Sequence, residues 1–183
     1  MPRKSRRLLG ETMCHHMVQG INKEEIFKTE DNKEKYIELL KKYYKEFKID
    51  IIAYCIMDNH VHMLLYANDI KQISNFMKNI NSIYAMYYNK KTDRVGYVFR
   101  NRFKSVPIMD RKQLYTCIKY IHMNPVKAGK VKEESDYRYS SYNDYLNKTG
   151  FIHEEILKFI FSSSNNYIEK FQSIEYENSK EEV

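Results

Sequence analysis

The chain has 183 residues, enough for one domain with a hydrophobic core and too few for two domains of ordinary size. Its hydrophobic share of 43% and charged share of 30% exclude a wholly disordered or collagen-like protein. The net charge is +7, and residues 151–183 hold 7 acids against 3 bases, so the first 150 residues carry +11. The strong positive charge of the first 150 residues favours a polyanionic partner.

The amino terminus begins with a basic arm over residues 1–11. No apolar segment of a signal peptide follows this arm, and no stretch approaches the roughly 20 apolar residues of a membrane span. We therefore expect a cytoplasmic protein with no membrane partner, associated with the nucleoid if it binds DNA. The arm either contacts phosphate or is disordered, and its four candidate DNA-binding side chains are Arg3, Lys4, Arg6 and Arg7.

The hydrophobic pattern predicts seven elements in the order β-α-β-β-α-β-α. Strands are expected at 13–19, 49–57, 60–67 and 103–108. The first helix starts near Asp31 with an apolar stripe that reaches Phe47, and the second covers 70–89. The order is typical of an α+β fold, with a mostly antiparallel sheet flanked by helices in a ferredoxin-like arrangement.

The third predicted helix is capped by Asp110 and reaches Asn124. Pro125 is expected to end it, because the residue before a proline is disfavoured in the α region. These elements give a main domain at 12–131. Residues 132–183 form a C-terminal extension, with a short helix at 154–161 and an acidic tail.

A His-Val-His sequence is the most informative motif. His60 and His62 lie two apart on a predicted strand, so they project from the same face and can reach one ion. Val61 and the residues that alternate with the histidines then point into the core. The alternative is that both are ordinary strand histidines, each satisfied by a neighbour.

The helix before Pro125 carries a second candidate group. Tyr120 and Asn124 lie one turn apart along the border of its apolar stripe, where a phenol can leave the core and meet a ligand on the sheet. Asn124 falls in the last turn, which favours a cation, so its side-chain oxygen is a candidate third metal ligand. Alternatively, Asn124 only caps the helix and Tyr120 packs its ring.

A basic, aromatic loop at 90–104 could contact phosphates and stack on bases. The alternative is a solvated basic face with aromatic rings turned inward. Lys119 and Lys127 on the third helix either bind DNA or solvate the helix. The loop's basic side chains are Arg94, Arg100, Arg102 and Lys104, and its aromatic ones are Tyr97, Phe99 and Phe103.

Three blocks together carry a family resemblance: YCIMDNHVHMLL at 54–65, VGYVFRNRFKS at 95–105 and YIHMNPVKAG at 120–129. In this order and spacing they resemble the REP-associated tyrosine transposases, single-tyrosine transposases of insertion-sequence type in the His-hydrophobe-His nuclease superfamily. The resemblance covers about residues 12–131. It implies that His60, His62 and Asn124 hold Mg²⁺ or Mn²⁺, and that Tyr120 is the nucleophile.

The implied reaction cleaves and rejoins single-stranded or hairpin DNA through a 5′-phosphotyrosine intermediate, by metal-assisted transesterification. A homodimer is possible, since some members of the superfamily share active sites between subunits. Tyr115 is the chief rival nucleophile. One alternative function is a catalytically inactive or domesticated DNA-binding protein of the same fold. Another is a zinc-dependent hydrolase that activates water with His60, His62 and a further ligand.

Overall fold

The computed structural model describes residues 12–101, 103–152, 154–161 and 167–173. Its four strands are β1 (Met13–Gln19), β2 (Asp50–Ile56), β3 (His60–Tyr66) and β4 (Lys104–Pro107). They form one sheet in the order β2-β3-β1-β4, and every neighbouring pair is antiparallel. The predicted α+β fold with ferredoxin-like order is confirmed. The basic arm and Arg102 lie outside the described residues.

Four helices lie in or near the predicted places, and two short helices, at Tyr142–Asn147 and Tyr167–Gln172, were not predicted. In the part of the chain that the structure describes, no helix is both long enough and apolar enough to cross a membrane. Short 3-10 turns occupy Ile21–Lys23 and Glu134–Asp136. The helices are α1 (Glu30–Tyr43), α2 (Ile70–Thr92), α3 (Arg111–Lys127), α4 (Tyr142–Asn147), α5 (Glu154–Phe161) and α6 (Tyr167–Gln172).

The end of α1 differs from the prediction. The apolar stripe runs on to Phe47, but the helix stops at Tyr43. Lys48 adopts a left-handed backbone with φ +54°, and the amide of Ile49 donates to the carbonyl of Tyr44 at 2.8 Å. The left-handed residue turns the chain back into β2, which the hydrophobic period does not reveal.

The expected end of α3 at Asn124 is wrong, because the helix runs through Pro125 to Lys127. Proline has no N–H, so the carbonyl of Ile121 loses its backbone donor. The Asn124 Nδ2 lies 3.3 Å from that carbonyl and 2.7 Å from the carbonyl of Tyr120, and it donates to both. A side-chain donor thus replaces the missing amide and stabilises the helix past the proline.

Different helices cover the two faces of the sheet. On β3, Val61, Met63 and Leu65 are fully buried, on the face covered by α1 and α2, which pack against each other. The opposite face is covered by α3, which contacts β2 and β3. Because side chains alternate along a strand, His60 and His62 face α3.

The C-terminal extension contributes to the same core. Residues 139–141 pair with the edge of β2 through a bridge between Cys55 and Ser140. On α4, the buried Tyr145 donates its hydroxyl to the carbonyl of Ile52 at 2.7 Å. The extension therefore closes one edge of the sheet and covers part of β2.

Replacing Tyr145 by phenylalanine is expected to lower the free energy of unfolding by about 1–3 kcal/mol, because a buried carbonyl loses its donor. Urea denaturation measures this change. Tyr97 is 85% exposed, so the control Tyr97→Phe should stay within about 0.5 kcal/mol of the wild type. Equal midpoints for Tyr145→Phe and wild type would show that the extension does not unfold with the sheet.

Candidate active site

The paired histidines of β3 lie side by side on the face under α3. The ring centroids of His60 and His62 are 4.8 Å apart, edge to face. His62 is almost fully buried, whereas His60 at the end of the strand is partly exposed. The alternation of β3 therefore brings two imidazoles to one place, as its period indicates.

Each imidazole already has a partner for its Nδ1. The His62 Nδ1 lies 2.9 Å from the Nε2 of His15 on β1, and these two rings stack. The His60 Nδ1 lies 2.5 Å from the Oδ1 of Asn59 in the turn between β2 and β3. In both rings the nitrogen that makes the contact is Nδ1, so these contacts leave Nε2 of each ring available.

Tyr120 of α3 lies against the rings of His62 and His15. Its ring centroid is 5.3 Å from that of His62 and 5.8 Å from that of His15, edge to face in both cases. Asn124 follows one turn later on the same helix. Since its amide nitrogen donates to helix carbonyls, its Oδ1 is turned away from them. One chain thus brings the imidazole pair and the phenol together.

Burial controls the charge of these groups. It lowers the pKa of His60 to about 4, against an opposing effect of Asp58. It also lowers the pKa of His62 well below its usual value, and that of His15 to about 4 with help from Lys104. All three rings are therefore neutral at pH 7, the form in which imidazole binds a metal. Burial raises the pKa of Tyr120, with Cys117 adding to the effect, so its phenol is protonated.

The donor set fits a divalent cation. Two neutral imidazoles can offer Nε2 lone pairs, and a carboxamide oxygen can add a third ligand. Over the described ranges, no three His, Cys, Asp or Glu side chains group as a metal site. A cation held here by two imidazoles and an amide would keep coordination positions open for phosphate oxygens.

Two predicted DNA-binding lysines flank the site. The Lys127 Nζ lies 5.4 Å from the centre of the Tyr120 ring, and burial lowers the pKa of that amine. Lys104 comes from β4. It pairs with Met17, which pairs on its other side with His62, so the exposed Lys104 projects from the same face as the histidines.

Other predicted DNA contacts are engaged elsewhere or exposed. Arg94 forms an ion pair with Glu24, and Lys119 forms one with Glu134 at 2.7 Å. Arg100 is exposed. Of the loop aromatics, Tyr97 is exposed and Phe99 is partly buried, whereas Phe103 is buried and packs against His16.

The rival nucleophile Tyr115 has a structural contact. Its hydroxyl donates to the carbonyl of Ile160 at 3.2 Å, and its ring stacks on Phe161. Tyr115 thereby joins α3 to the end of α5. The tyrosine ring that contacts His62 is that of Tyr120.

Asp58, in the same turn as Asn59, fixes the turn to two helices. Its Oδ1 lies 2.7 Å from the Nζ of Lys33 on α1. Its Oδ2 pairs with Lys130, which follows α3. The turn that ends at His60 is thus tied both to α1 and to the segment that leaves the helix of Tyr120. Because these partners are distant in the chain, the sequence pattern alone does not reveal the pairing.

Replacing Asp58 by asparagine is expected to lower the free energy of unfolding by about 3 kcal/mol, because the ammonium of Lys33 would remain buried without its counter-charge. The Lys33 side chain is only 7% exposed. Glu38→Gln is the matched control, since the pair of Glu38 with Lys35 is solvent-exposed and worth less than about 1 kcal/mol. Chemical denaturation of both variants measures the difference. Equal losses would show that Asp58 is no more than a surface charge.

Comparison with known proteins agrees with this fold. The family model described as "Transposase IS200 like" matches residues 10–124. The match spans more than half of the chain, so the chain belongs to the IS200-like transposase family. Family membership makes it a DNA-processing enzyme.

The particular relatives are REP-associated tyrosine transposases, and the resemblance predicted from the motifs is confirmed. A Haemophilus influenzae protein assigned to this group is 28% identical over 122 residues, covering 59% of this chain and 69% of the relative. A solved structure of a REP-associated tyrosine transposase bound to a REP hairpin superposes with a TM-score of 0.64 at 16% identity. The superposition covers 83% of this chain and 90% of that one. Because the identity is only 16%, this superposition is evidence for the fold alone.

Proposed function

We propose that this chain cleaves and rejoins single-stranded or hairpin DNA through a covalent bond between Tyr120 and the 5′ phosphate. The observation that carries the proposal is the contact of the Tyr120 ring with His62, at 5.3 Å between centroids within one chain. A nucleophile and a set of metal ligands are then available at one phosphate without a second subunit. The homodimer remains a prediction.

His60 and His62 would hold a divalent ion through Nε2, and Asn124 through Oδ1. When bound, the ion supplies Lewis-acid polarisation of the scissile phosphate. We favour Mg²⁺ or Mn²⁺ from the family resemblance, and imidazole ligands suit Mn²⁺ better than Mg²⁺. Because Asn124 Nδ2 donates to two helix carbonyls, its Oδ1 is the side-chain atom left to act as a ligand.

Tyr120 Oη would attack the phosphorus, forming a P–O bond as the bond from phosphorus to the 3′ oxygen breaks. The phenol loses its proton, and the 3′ oxygen gains one and leaves as a hydroxyl. The phosphotyrosine ester keeps the phosphodiester bond energy, so the reverse attack by a 3′ hydroxyl reseals DNA without a nucleotide cofactor. Burial keeps the phenol protonated at rest, so its proton leaves only as attack proceeds.

Lys104 and Lys127 flank the reacting groups and are suited to hold the phosphate backbone on either side of the scissile bond. Arg100 and the exposed Tyr97 extend this surface. An unpaired strand suits it better than a closed duplex, because the backbone of an unpaired strand is accessible and its bases can stack on aromatic rings. The solved relative is bound to a REP hairpin, and we propose a hairpin substrate here. This activity belongs in the cytoplasm, at the nucleoid.

The test incubates the full chain with labelled hairpin DNA that carries a single-stranded flank, with Mn²⁺ or with EDTA. We expect a protein–DNA adduct that resists denaturation in Mn²⁺ and is absent in EDTA. A zinc-dependent hydrolase would instead give cleaved DNA without an adduct, and an inactive DNA-binding protein would give neither. Either of those results would overturn the proposal.

A further inference from the structure

The Nδ1 contacts of the two histidines suggest a role for their partners. We infer that Asn59 and His15 are positioning residues that fix the tautomer and ring orientation of His60 and His62, so that both present a bare Nε2. The inference rests on the proposed metal-binding role of the two histidines. Metal-binding histidines commonly give their second ring N–H to a neighbour, which fixes the tautomer and orients the ring.

At His60 the contact determines the tautomer. An amide oxygen can only accept a hydrogen bond, so the His60 Nδ1 at 2.5 Å from the Asn59 Oδ1 must carry the proton. The Asn59 Nδ2 donates to the carbonyl of Lys23 at 3.4 Å. This second contact supports the same orientation of the amide, with its oxygen toward His60. The neutral form of His60 therefore has its lone pair on Nε2.

At His62 the partner is a second imidazole. Of the two nitrogens 2.9 Å apart, one must donate and the other accept. If His62 donates from Nδ1, its Nε2 is bare, and His15 accepts at Nε2 with its own proton on Nδ1. Only this arrangement lets His62 bind a cation, and we assign it. The stacking of the rings and the edge contact of His15 with Tyr120 hold His15 in place.

The two partners come from different parts of the fold. Asn59 belongs to the turn fixed by Asp58, and His15 belongs to β1, which pairs with β3 in register. A substitution at either position should disturb one histidine and leave the other unchanged. A general loss of folding would disturb both His60 and His62. The pattern of change therefore distinguishes a specific positioning role from a folding defect.

The test first reads tautomers in the metal-free protein by long-range ¹⁵N–¹H NMR of the imidazole rings. We expect the wild type to carry protons on Nδ1 of both His60 and His62. Asn59→Ala should give mixed tautomers at His60 alone, and His15→Phe, which keeps an aromatic ring, should do so at His62 alone. Asn59→Asp and His15→Gln retain an acceptor and should restore the wild-type tautomers.

The second measurement is calorimetric titration with Mn²⁺ alone. Asn59→Ala and His15→Phe should each weaken Mn²⁺ binding roughly 10- to 100-fold, with recovery in Asn59→Asp and His15→Gln. Asn68→Ala is the matched control: this exposed asparagine lies just beyond the other end of β3 and should leave tautomers and affinity unchanged.

A proton on Nε2 of either His60 or His62 in the metal-free wild type would overturn the inference. So would wild-type Mn²⁺ affinity in both Asn59→Ala and His15→Phe. Failure of the wild type to bind Mn²⁺ would instead overturn the proposed metal role, while the tautomers, read without metal or DNA, would still decide the positioning role.

Discussion

Tyr120→Phe is expected to abolish the covalent protein–DNA adduct and to reduce strand cleavage by roughly 10⁴-fold or more, as removal of a catalytic nucleophile does in other enzymes. Phenylalanine keeps the ring that packs on His62 and His15, so the site should otherwise be preserved. Denaturing gels of labelled hairpin DNA with Mn²⁺ measure both effects. DNA affinity should change little, because it is mainly electrostatic.

Tyr115→Phe is the matched control, on the same helix and with a hydroxyl that contacts the carbonyl of Ile160. It should lose some stability but retain adduct formation. If the adduct persists in Tyr120→Phe and disappears in Tyr115→Phe, the nucleophile has been assigned to the wrong tyrosine.

The second large effect is expected at His60. His60→Ala removes one of the two proposed imidazole ligands, so Mn²⁺-dependent cleavage should fall by about 10³-fold. A metal ion contributes several kcal/mol to stabilising the charge of the transition state, and a loss of that size corresponds to this change in rate. His60 is a cleaner site for substitution than His62, because it is partly exposed, whereas His62 is buried and bonded to His15. Single-turnover cleavage rates over a range of Mn²⁺ concentrations measure the effect.

Tyr66→Phe controls for damage to the strand, since Tyr66 ends β3 on the face that carries His60. Its cleavage rate should stay near that of the wild type. DNA binding by His60→Ala should be retained within a few-fold, because backbone contacts carry most of the affinity. Wild-type cleavage by His60→Ala would mean that the imidazole pair is not the metal site.

The sequence predicted the architecture well because local patterns determine it. Alternation on β3 placed two histidines on one face and three apolar residues on the other, and the period of α3 placed Tyr120 beside its apolar stripe. The positions of the four strands and the order of the elements followed from the same patterns. These predictions need no knowledge of distant contacts.

The errors and omissions share a physical origin in longer-range or side-chain contacts. Pro125 does not end α3, because the Asn124 amide replaces the missing donor. The partnership of His15 with His62 depends on the register of β1 against β3. The sequence also left Asn124 as either a helix cap or a ligand, and in the structure its nitrogen bonds the helix while its oxygen is turned away.

The central claim is that Tyr120 itself takes the 5′ phosphate, and peptide mapping of the adduct tests it most directly. Trypsin should separate the two candidates, since Tyr115 falls in the peptide 113–119 and Tyr120 in the peptide 120–127. After nuclease trimming of the adduct, tandem mass spectrometry should locate the nucleotide on Tyr120. A nucleotide on any other residue, or DNA cleaved with no peptide modified, would contradict the account.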